Sequence, residues 1–130
     1  MALPSNEIDA LNRRGLAFSV REEAGMTCVV IANYPLPPGF SVSHADLLMR
    51  LNAGFPDVPP DMWWFAPPAQ RIDGVVIPAT DYNEMHLGRQ WQRWSRHLNQ
   101  GQWQCGIDGL DAFLALIQRE LEKSVPELVT

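Results

Sequence analysis

The sequence predicts an α+β domain with an N-terminal helix, an antiparallel meander of about four strands, an irregular flap and a C-terminal packing helix. Three observations predict this architecture. Apolar residues alternate in the first part of the chain, proline-rich segments interrupt its middle, and a segment near the end has helical periodicity. Because the chain has 130 residues and 46% of them are hydrophobic, we expect residues 1–130 to form a single domain around one core.

The N-terminal part predicts a helix followed by a β-hairpin. Ser5 is a residue type that caps helices, Ile8 and Leu11 give the segment an apolar side, and Gly15 can end it. In the next segment, LAFSVREEAGMTCVVIANY (16–34), apolar residues alternate before "EAG", and β-branched residues follow it. This pattern is typical of two antiparallel strands joined by a turn.

The middle of the chain is rich in prolines, which lack a backbone donor and disfavour helix in the residue before them. The segment HADLLMRL (44–51) fits a strand or a helix by periodicity alone, whereas MWWF (62–65) is short, bulky and strand-like. Residues 67–84 are expected to form an irregular flap, with GVVIP (74–78) as a candidate short strand.

The last predicted element has the clearest pattern. The segment DGLDAFLALIQRELEK (108–123) carries apolar residues at helical spacing, which gives a helix one apolar side. These residues are Leu110, Phe113, Leu114, Ile117 and Leu121. We expect Asp108 to cap this helix and the apolar side to pack across the sheet.

Composition argues against several functional classes. A net charge of −5 is unfavourable for general nucleic-acid binding, which depends on many contacts between cationic side chains and phosphates. No apolar run approaches the roughly 20 residues that a membrane-spanning helix needs. The N-terminus lacks the pattern of a secretory signal, so we expect a cytoplasmic protein. Two cysteines, Cys28 and Cys105, are too few for a disulfide framework or a zinc site.

One stretch differs from this acidic background. RQWQRWSRHLNQGQWQC (89–105) contains three tryptophans, three arginines, a serine and a histidine, and no acidic residue. A reactive site would explain this composition. A buried aromatic layer with a solvated basic edge would explain it equally well.

The order of elements and prolines resembles the ubiquitin-conjugating enzyme fold and is most similar to family E of its prokaryotic members. NYPLPPGF (33–40) and GFPDVPPDMWWF (54–65) resemble the proline-rich loop that this fold places before an aromatic-rich strand. Residues 86–95 lie where the family has a histidine-containing motif, shortly before its catalytic cysteine. WQCGIDGLDAFLALIQREL (103–121) resembles the tryptophan and helix that follow that cysteine.

This resemblance implies a ubiquitin-conjugating-like protein of a bacterial ubiquitin-like modification system. Such a protein would be an acyl carrier or transferase that relays or presents a modifier received from an activating enzyme. The implied partners are a ubiquitin-like protein, the activating enzyme and a deubiquitinase-like peptidase of the same operon. The alternative is a catalytically inactive variant that binds the modifier or the activating enzyme. No cofactor is implied.

The sequence departs from the family pattern at the nucleophile. Counting back from Trp103, the expected cysteine position falls on a serine, and HLG (86–88) replaces the usual His-Pro-Asn. Four residues are therefore candidates for acyl transfer: Ser95, His97, His86 and Cys105. A metal site built from His86, His97, Cys105 and Asp108 would have irregular spacing, so we expect none.

The candidates differ in what they need from the fold. A cysteine suits an acyl carrier because its pKa lies near about 8.5, whereas a serine hydroxyl needs an adjacent base. His97 is two residues from Ser95, so their side chains point the same way only in an extended segment. His97 could also act alone, as a base or as an acyl acceptor, or form a structural hydrogen bond. His86 is expected to tie down the flap.

If the segment is extended, Arg93 lies on the same side as Ser95 and His97, while Trp94 and Arg96 turn the other way. We expect the first three side chains to line an open segment beside the final helix. The arginines would then stabilise an oxyanion or bind an acidic partner, or they would only be solvated.

Overall fold

In the residues that it describes, 3–60, 62–96, 103–104 and 108–125, the computed structural model contains two helices and six strands. Helix α1 spans Ser5–Arg13 and helix α2 spans Leu110–Lys123. The strands are β1 (Phe18–Glu23), β2 (Met26–Pro35), β3 (His44–Leu51), β4 (Met62–Ala66), β5 (Tyr82–His86) and β6 (Arg89–Ser95). The predicted α+β class is confirmed. Within these ranges neither helix is both long and apolar enough to cross a membrane.

The sheet has more strands than the sequence predicts. Its order is β1-β2-β3-β4-β6-β5, and every neighbouring pair is antiparallel. The first four strands form the predicted meander, and HADLLMRL is a strand. The hairpin of β5 and β6 adds the two strands that the estimate of about four omits.

Both hairpins use the same kind of turn. The central residues Ala24 and Gly25 have positive φ, and so do Leu87 and Gly88. Two consecutive residues with positive φ are typical of the type I′ turn, whose twist matches that of the flanking strands. HLG is therefore the turn between β5 and β6. The predicted flap is shorter than expected because β5 begins at Tyr82, and GVVIP is not a strand.

The two faces of the sheet have different coverings. The first face packs against α1 and α2 around buried residues that include Trp63, Phe65 and Trp94. The second, which we call the helix-free face, carries a smaller buried cluster: Cys28, Leu48, Trp64, Ala66 and Trp91. The two sheet edges meet where Glu23 Oε2 accepts a hydrogen bond of 2.8 Å from the Leu87 N–H. The sheet thus curls over its helix-free face.

The buried side of α2 is the one predicted: Leu110, Phe113, Leu114, Ile117 and Leu121 are all buried. Its cap is not. Gly109 occupies the N-cap position, and Asp108 instead accepts a hydrogen bond from the Gln104 N–H. The Ser5 prediction is also wrong, because Pro4 precedes the first turn of α1 and Ser5 is already helical.

The start of α2 is capped by the other helix. Glu7 is buried in α1, and its Oε2 accepts a hydrogen bond of 2.7 Å from the Leu110 N–H. A Cβ at Gly109 would lie 2.5 Å from Glu7 Oε1, so only glycine leaves room for this carboxylate. A negative charge at a helix N-terminus also interacts favourably with the helix dipole. Glu7 therefore joins the two helices and supplies the cap for which Asp108 was the candidate.

Replacing this carboxylate should weaken the fold. Glu7→Ala leaves the buried Leu110 N–H without a partner, and we expect the free energy of unfolding to fall by about 1–3 kcal/mol. Asp9→Ala, an exposed change on the same helix, is the matched control and should alter it by no more than about 0.5 kcal/mol. Urea denaturation of both variants measures the difference. Equal losses would show that Glu7 does not act as the cap.

Candidate functional site

The helix-free face gathers most of the charged and aromatic side chains of the β5–β6 hairpin. Cross-strand pairing fixes this arrangement, because residues directly opposite each other point to the same face. Trp64 of β4 lies opposite Arg93 of β6, and Glu84 of β5 lies opposite Trp91. Trp64 and Trp91 belong to the cluster under this face, so Glu84 and Arg93 lie above it.

The Glu84 carboxylate connects three strands. Its Oε1 accepts a hydrogen bond of 2.9 Å from Trp64 Nε1 and lies 3.1 Å from His86 Nε2. Its Oε2 accepts a hydrogen bond of 2.9 Å from Arg93 Nη1. Because an ionised carboxylate only accepts, the contact with His86 requires the imidazole to carry a proton on Nε2. The ring of His86 also meets that of Trp64 edge-on, with centroids 5.2 Å apart.

These contacts keep Glu84 ionised. Desolvation alone would raise the pKa of Glu84. The hydrogen bonds from Trp64 and His86 and the positive charge of Arg93 act in the opposite direction and outweigh desolvation, so the pKa lies below its usual value. The folded state therefore gains stability from ionised Glu84 above the unfolded-state pKa, and loses it as pH falls through the folded-state pKa.

A second carboxylate lies beside the first. Glu23 Oε1 is 3.6 Å from His86 Nδ1 and 3.8 Å from Arg50 Nη2. Both distances exceed ordinary hydrogen-bond length, whereas Glu23 Oε2 accepts the short bond from the Leu87 N–H. Its strongest contact thus joins the sheet edges, and His86 lies between the carboxylates of Glu23 and Glu84.

A cleft of about 470 Å³ opens next to this cluster. Polar side chains reach it from three strands: Arg50, Glu84, His86 and Arg93. Apolar side chains complete much of its lining: Met26, Val58, Pro59, Pro60, Met62 and Trp64. The Nε atoms of Arg50 and Arg93 are buried and have no hydrogen-bond partner among the described residues. The cleft therefore combines an apolar wall with cationic groups that are incompletely paired.

Ser95, the serine at the expected nucleophile position, is the last residue of β6 and is half-buried. It lies opposite Met62 and shares the helix-free face with Arg93. Its backbone N–H donates to Ala79 O over 3.1 Å, while within the described ranges its hydroxyl has no hydrogen-bond partner. The predicted extended geometry is thus observed as far as Ser95.

The segment does lie beside the final helix, but Arg93 and Ser95 face away from that helix. Trp94 packs against the core that includes α2, and Arg96 Nε donates a hydrogen bond of 2.8 Å to Glu120 Oε1 on that helix. Arg93 and Ser95 point to the opposite face of β6. The expected alternation is observed from Arg93 to Ser95, while His97 lies outside the described residues. The sheet lies between Ser95 and α2.

The structure does not bring His86 to Ser95. His86 lies opposite Arg89 at one end of the β5–β6 hairpin, and Ser95 lies at the other end. Six strand positions at roughly 3.3 Å each put these two residues about 20 Å apart. His86 therefore cannot serve as the base for Ser95. Its observed contacts fix the β5–β6 turn to the sheet rather than holding the flap.

Two of the four candidate residues lie outside the part of the chain that the structure describes. His97 and Cys105 lie outside the described residues. Cys28, which lies in the apolar run TCVVI of β2, is 0% exposed under the helix-free face. In the described part of the chain, no group of three or more His, Cys, Asp or Glu residues is arranged to hold a metal ion.

Sequence reasoning missed Glu84, Glu23 and Arg50. The first was noted only as the end of the flap, and the other two were not singled out. One signal was present: Leu87-Gly88 between two alternating segments is compatible with a two-residue hairpin turn. It would have placed Glu84 and Arg93 on the same face of one hairpin.

Comparison with known proteins identifies one family. Residues 3–124 match the family described as prokaryotic E2 family E. The match includes both helices, all six described strands and the predicted histidine and cysteine positions. Neither a curated protein nor a solved structure matches the chain significantly.

The dependence of the free energy of unfolding on acidic pH tests whether Glu84 is ionised in the folded protein. Glu84→Gln retains the shape of the side chain but not its charge, and we expect it to cost roughly 1–2 kcal/mol at neutral pH. Because the folded-state pKa is lowered, wild-type stability should fall more steeply than that of the variant as pH drops below about 4.3. Denaturant melts between about pH 3 and 7 measure both slopes.

Asn83→Gln is the matched control, because Asn83 is an exposed amide on the same strand. This variant should follow the wild-type profile at every pH. If Glu84→Gln also follows that profile, the ionised carboxylate does not contribute to stability in the way that its contacts indicate.

Proposed function

Because this chain belongs to prokaryotic E2 family E, we propose that its ubiquitin-conjugating-like role lies in a bacterial ubiquitin-like modification system. In this proposal it receives a ubiquitin-like protein from an activating enzyme and relays it. The observation that supports the proposal is the family match, which spans residues 3–124 and so covers almost the whole fold. A deubiquitinase-like peptidase of the same operon is the third proposed partner.

Relay requires a nucleophile that solvent and a partner can reach. Cys28 does not qualify, because it is fully buried beneath the helix-free face. Cys105 is the other cysteine in the sequence, and a thioester carrier would therefore use its thiolate. That thiolate would attack the modifier's thioester, form a new thioester and release the thiol of the activating enzyme.

An oxygen or nitrogen acceptor is the other catalytic route. Ser95 has an unpaired hydroxyl within the described structure and an accessible position at the end of β6. Because a serine hydroxyl needs a base and His86 is far away, this route depends on His97. His97 would take the hydroxyl proton while Ser95 forms an ester, or would itself accept the acyl group.

A non-catalytic binding module is the second candidate function. The observation that favours it is that the described structure places no histidine beside Ser95, the serine at the expected nucleophile position, since Ser95 and His86 lie at opposite ends of the hairpin. Such a module would hold the modifier or the activating enzyme without forming a covalent bond.

A reconstituted reaction separates these routes. The chain is mixed with ATP, the ubiquitin-like protein and the activating enzyme from its own operon, and intact mass is measured. We expect a covalent adduct, and we expect one of Ser95→Ala, His97→Ala and Cys105→Ser to reduce it by about a hundredfold or more. Cys28→Ala is the matched control and should leave the adduct unchanged.

The linkage identifies the acceptor independently. A thioester to Cys105 is cleaved by dithiothreitol at neutral pH, whereas an ester to Ser95 survives that treatment and is cleaved by alkali. If no adduct forms but the chain binds the modifier or the activating enzyme stably, relay is wrong and the binding module is correct. If neither binding nor transfer occurs with the operon's proteins, both functions are wrong.

A further inference from the structure

The guanidinium of Arg50 is mostly buried but has few hydrogen-bond acceptors nearby in the described structure. Its side chain is 15% exposed, and its Nε is buried without a hydrogen-bond partner in the described part of the chain. Its nearest carboxylate in the described structure is Glu23, at 3.8 Å from Nη2. Arginine has five N–H donors and no acceptor. A guanidinium that is partly removed from water is stabilised when an anion or ordered water completes its hydrogen bonds.

Glu23 is not free to complete them. Its Oε2 accepts the Leu87 N–H at 2.8 Å, and its Oε1 also lies 3.6 Å from His86 Nδ1. Moving this carboxylate toward Arg50 would break the contact that joins the two edges of the sheet. The Arg50 side chain lines the cleft and its Nε makes no hydrogen bond within the described residues, so a ligand in the cleft is an available acceptor for its donors.

Arg93 lines the same cleft, and some of its N–H donors also lack an acceptor in the described structure. Its Nη1 is bonded to Glu84, and its guanidinium lies 4.4 Å from the centroid of the Tyr82 ring. Within the described residues its Nε has no partner. Glu84 is engaged by Trp64, His86 and Arg93, whereas the carboxylate of Glu23 lies 3.8 Å from Arg50 Nη2. Arg50 is therefore the more weakly paired of the two cations on the wall of the cleft.

The shape and lining of the cleft limit what could bind there. Its volume, about 470 Å³, is in the range typical of small-molecule sites, about 300–1,000 Å³. A planar guanidinium matches the two oxygens of a carboxylate. Met26, Met62, Pro59 and Pro60 provide an apolar wall that suits a hydrocarbon body rather than a fully hydrated ion.

We propose that this cleft binds a small organic carboxylate, with its anionic group at Arg50 and its apolar body against the methionines and prolines. The bonds formed are hydrogen bonds from the guanidinium to the carboxylate oxygens, and no covalent step is involved. This proposal does not rest on the proposed modifier transfer. Its test needs neither the activating enzyme nor the ubiquitin-like protein.

Isothermal titration of the full chain with 4-phenylbutyrate tests the proposal. We expect saturable binding with one site per chain, and at least about tenfold weaker binding of the uncharged 4-phenylbutanamide. Arg50→Met should weaken 4-phenylbutyrate binding by about tenfold or more, since it removes a charged donor and keeps an apolar side chain.

Arg89→Met is the matched control. Arg89 also lies on the helix-free face, where it stacks 4.6 Å from the Trp91 ring centroid and pairs with Asp46 at 2.9 Å. It does not line the cleft, so this variant should bind 4-phenylbutyrate within about twofold of wild type. Equal losses in Arg50→Met and Arg89→Met would overturn the assignment to Arg50.

A measurement on the wild-type chain makes the test independent of variant folding. In ¹⁵N-labelled protein, the Nε–H resonance of Arg50 should shift with 4-phenylbutyrate and stay in place with the amide. No saturable binding, equal binding of the amide, or an unmoved Arg50 resonance would each overturn the proposal. Inorganic phosphate should not compete at equal concentration, and displacement by phosphate would overturn the assignment to carboxylates.

Discussion

The hydrogen bond from the Leu87 N–H to Glu23 joins the two edges of the sheet, and the organisation of the helix-free face depends on it. Strands lie about 4.8 Å apart, so in a flat six-stranded sheet the outer two would be separated by about 24 Å. Contact between β1 and the β5–β6 turn therefore requires strong twisting and curling. Both helices cover the other face, and only this curling removes Trp64 and Trp91 from water.

Curling also explains why charges concentrate above this cluster. Side chains from strands that are distant in the sheet order converge on the inner side of the curve, where Glu23, Glu84, Arg50 and Arg93 lie. These polar groups close the face in place of a helix. The network is therefore part of the fold's own covering, and its unpaired donors occur at the open end, where the cleft lies.

The sequence was most informative where one face of an element is buried. Helix α2 has a single apolar side, so its spacing predicts both its extent and its packing. Strand β6 has no such signal because both of its faces contain buried residues: Trp91 faces one cluster and Trp94 the other. Three-residue spacing of tryptophans in a strand does not show strand periodicity. Hence the class, the first hairpin and β4 were predictable, whereas β3 was left open between strand and helix and the last hairpin was not predicted.

The candidate site likewise has features that the sequence predicted and features that it did not. Ser95 and Arg93 are close in sequence, and alternation correctly placed them on one side of an extended segment. Their position relative to α2 could not be predicted, because it depends on which face of the sheet the helix covers. Glu23, Arg50 and Glu84 are far apart in sequence, and only strand register and sheet curvature bring them together. Likewise, the cap of α2 comes from α1, outside the range of any local capping pattern.

The hydrogen bond between Leu110 and Glu7 also forms late when the chain folds during its synthesis. These residues are 103 positions apart, and each doubling of such a loop adds about 0.6 kcal/mol to the cost of closing it. During synthesis the first helix and the sheet exist before the last helix has been made. Until then the core face of the sheet lacks the cover that α2 provides, and exposed apolar surface of this kind promotes association between chains. The final helix thus ends the period in which a growing chain is most prone to aggregate.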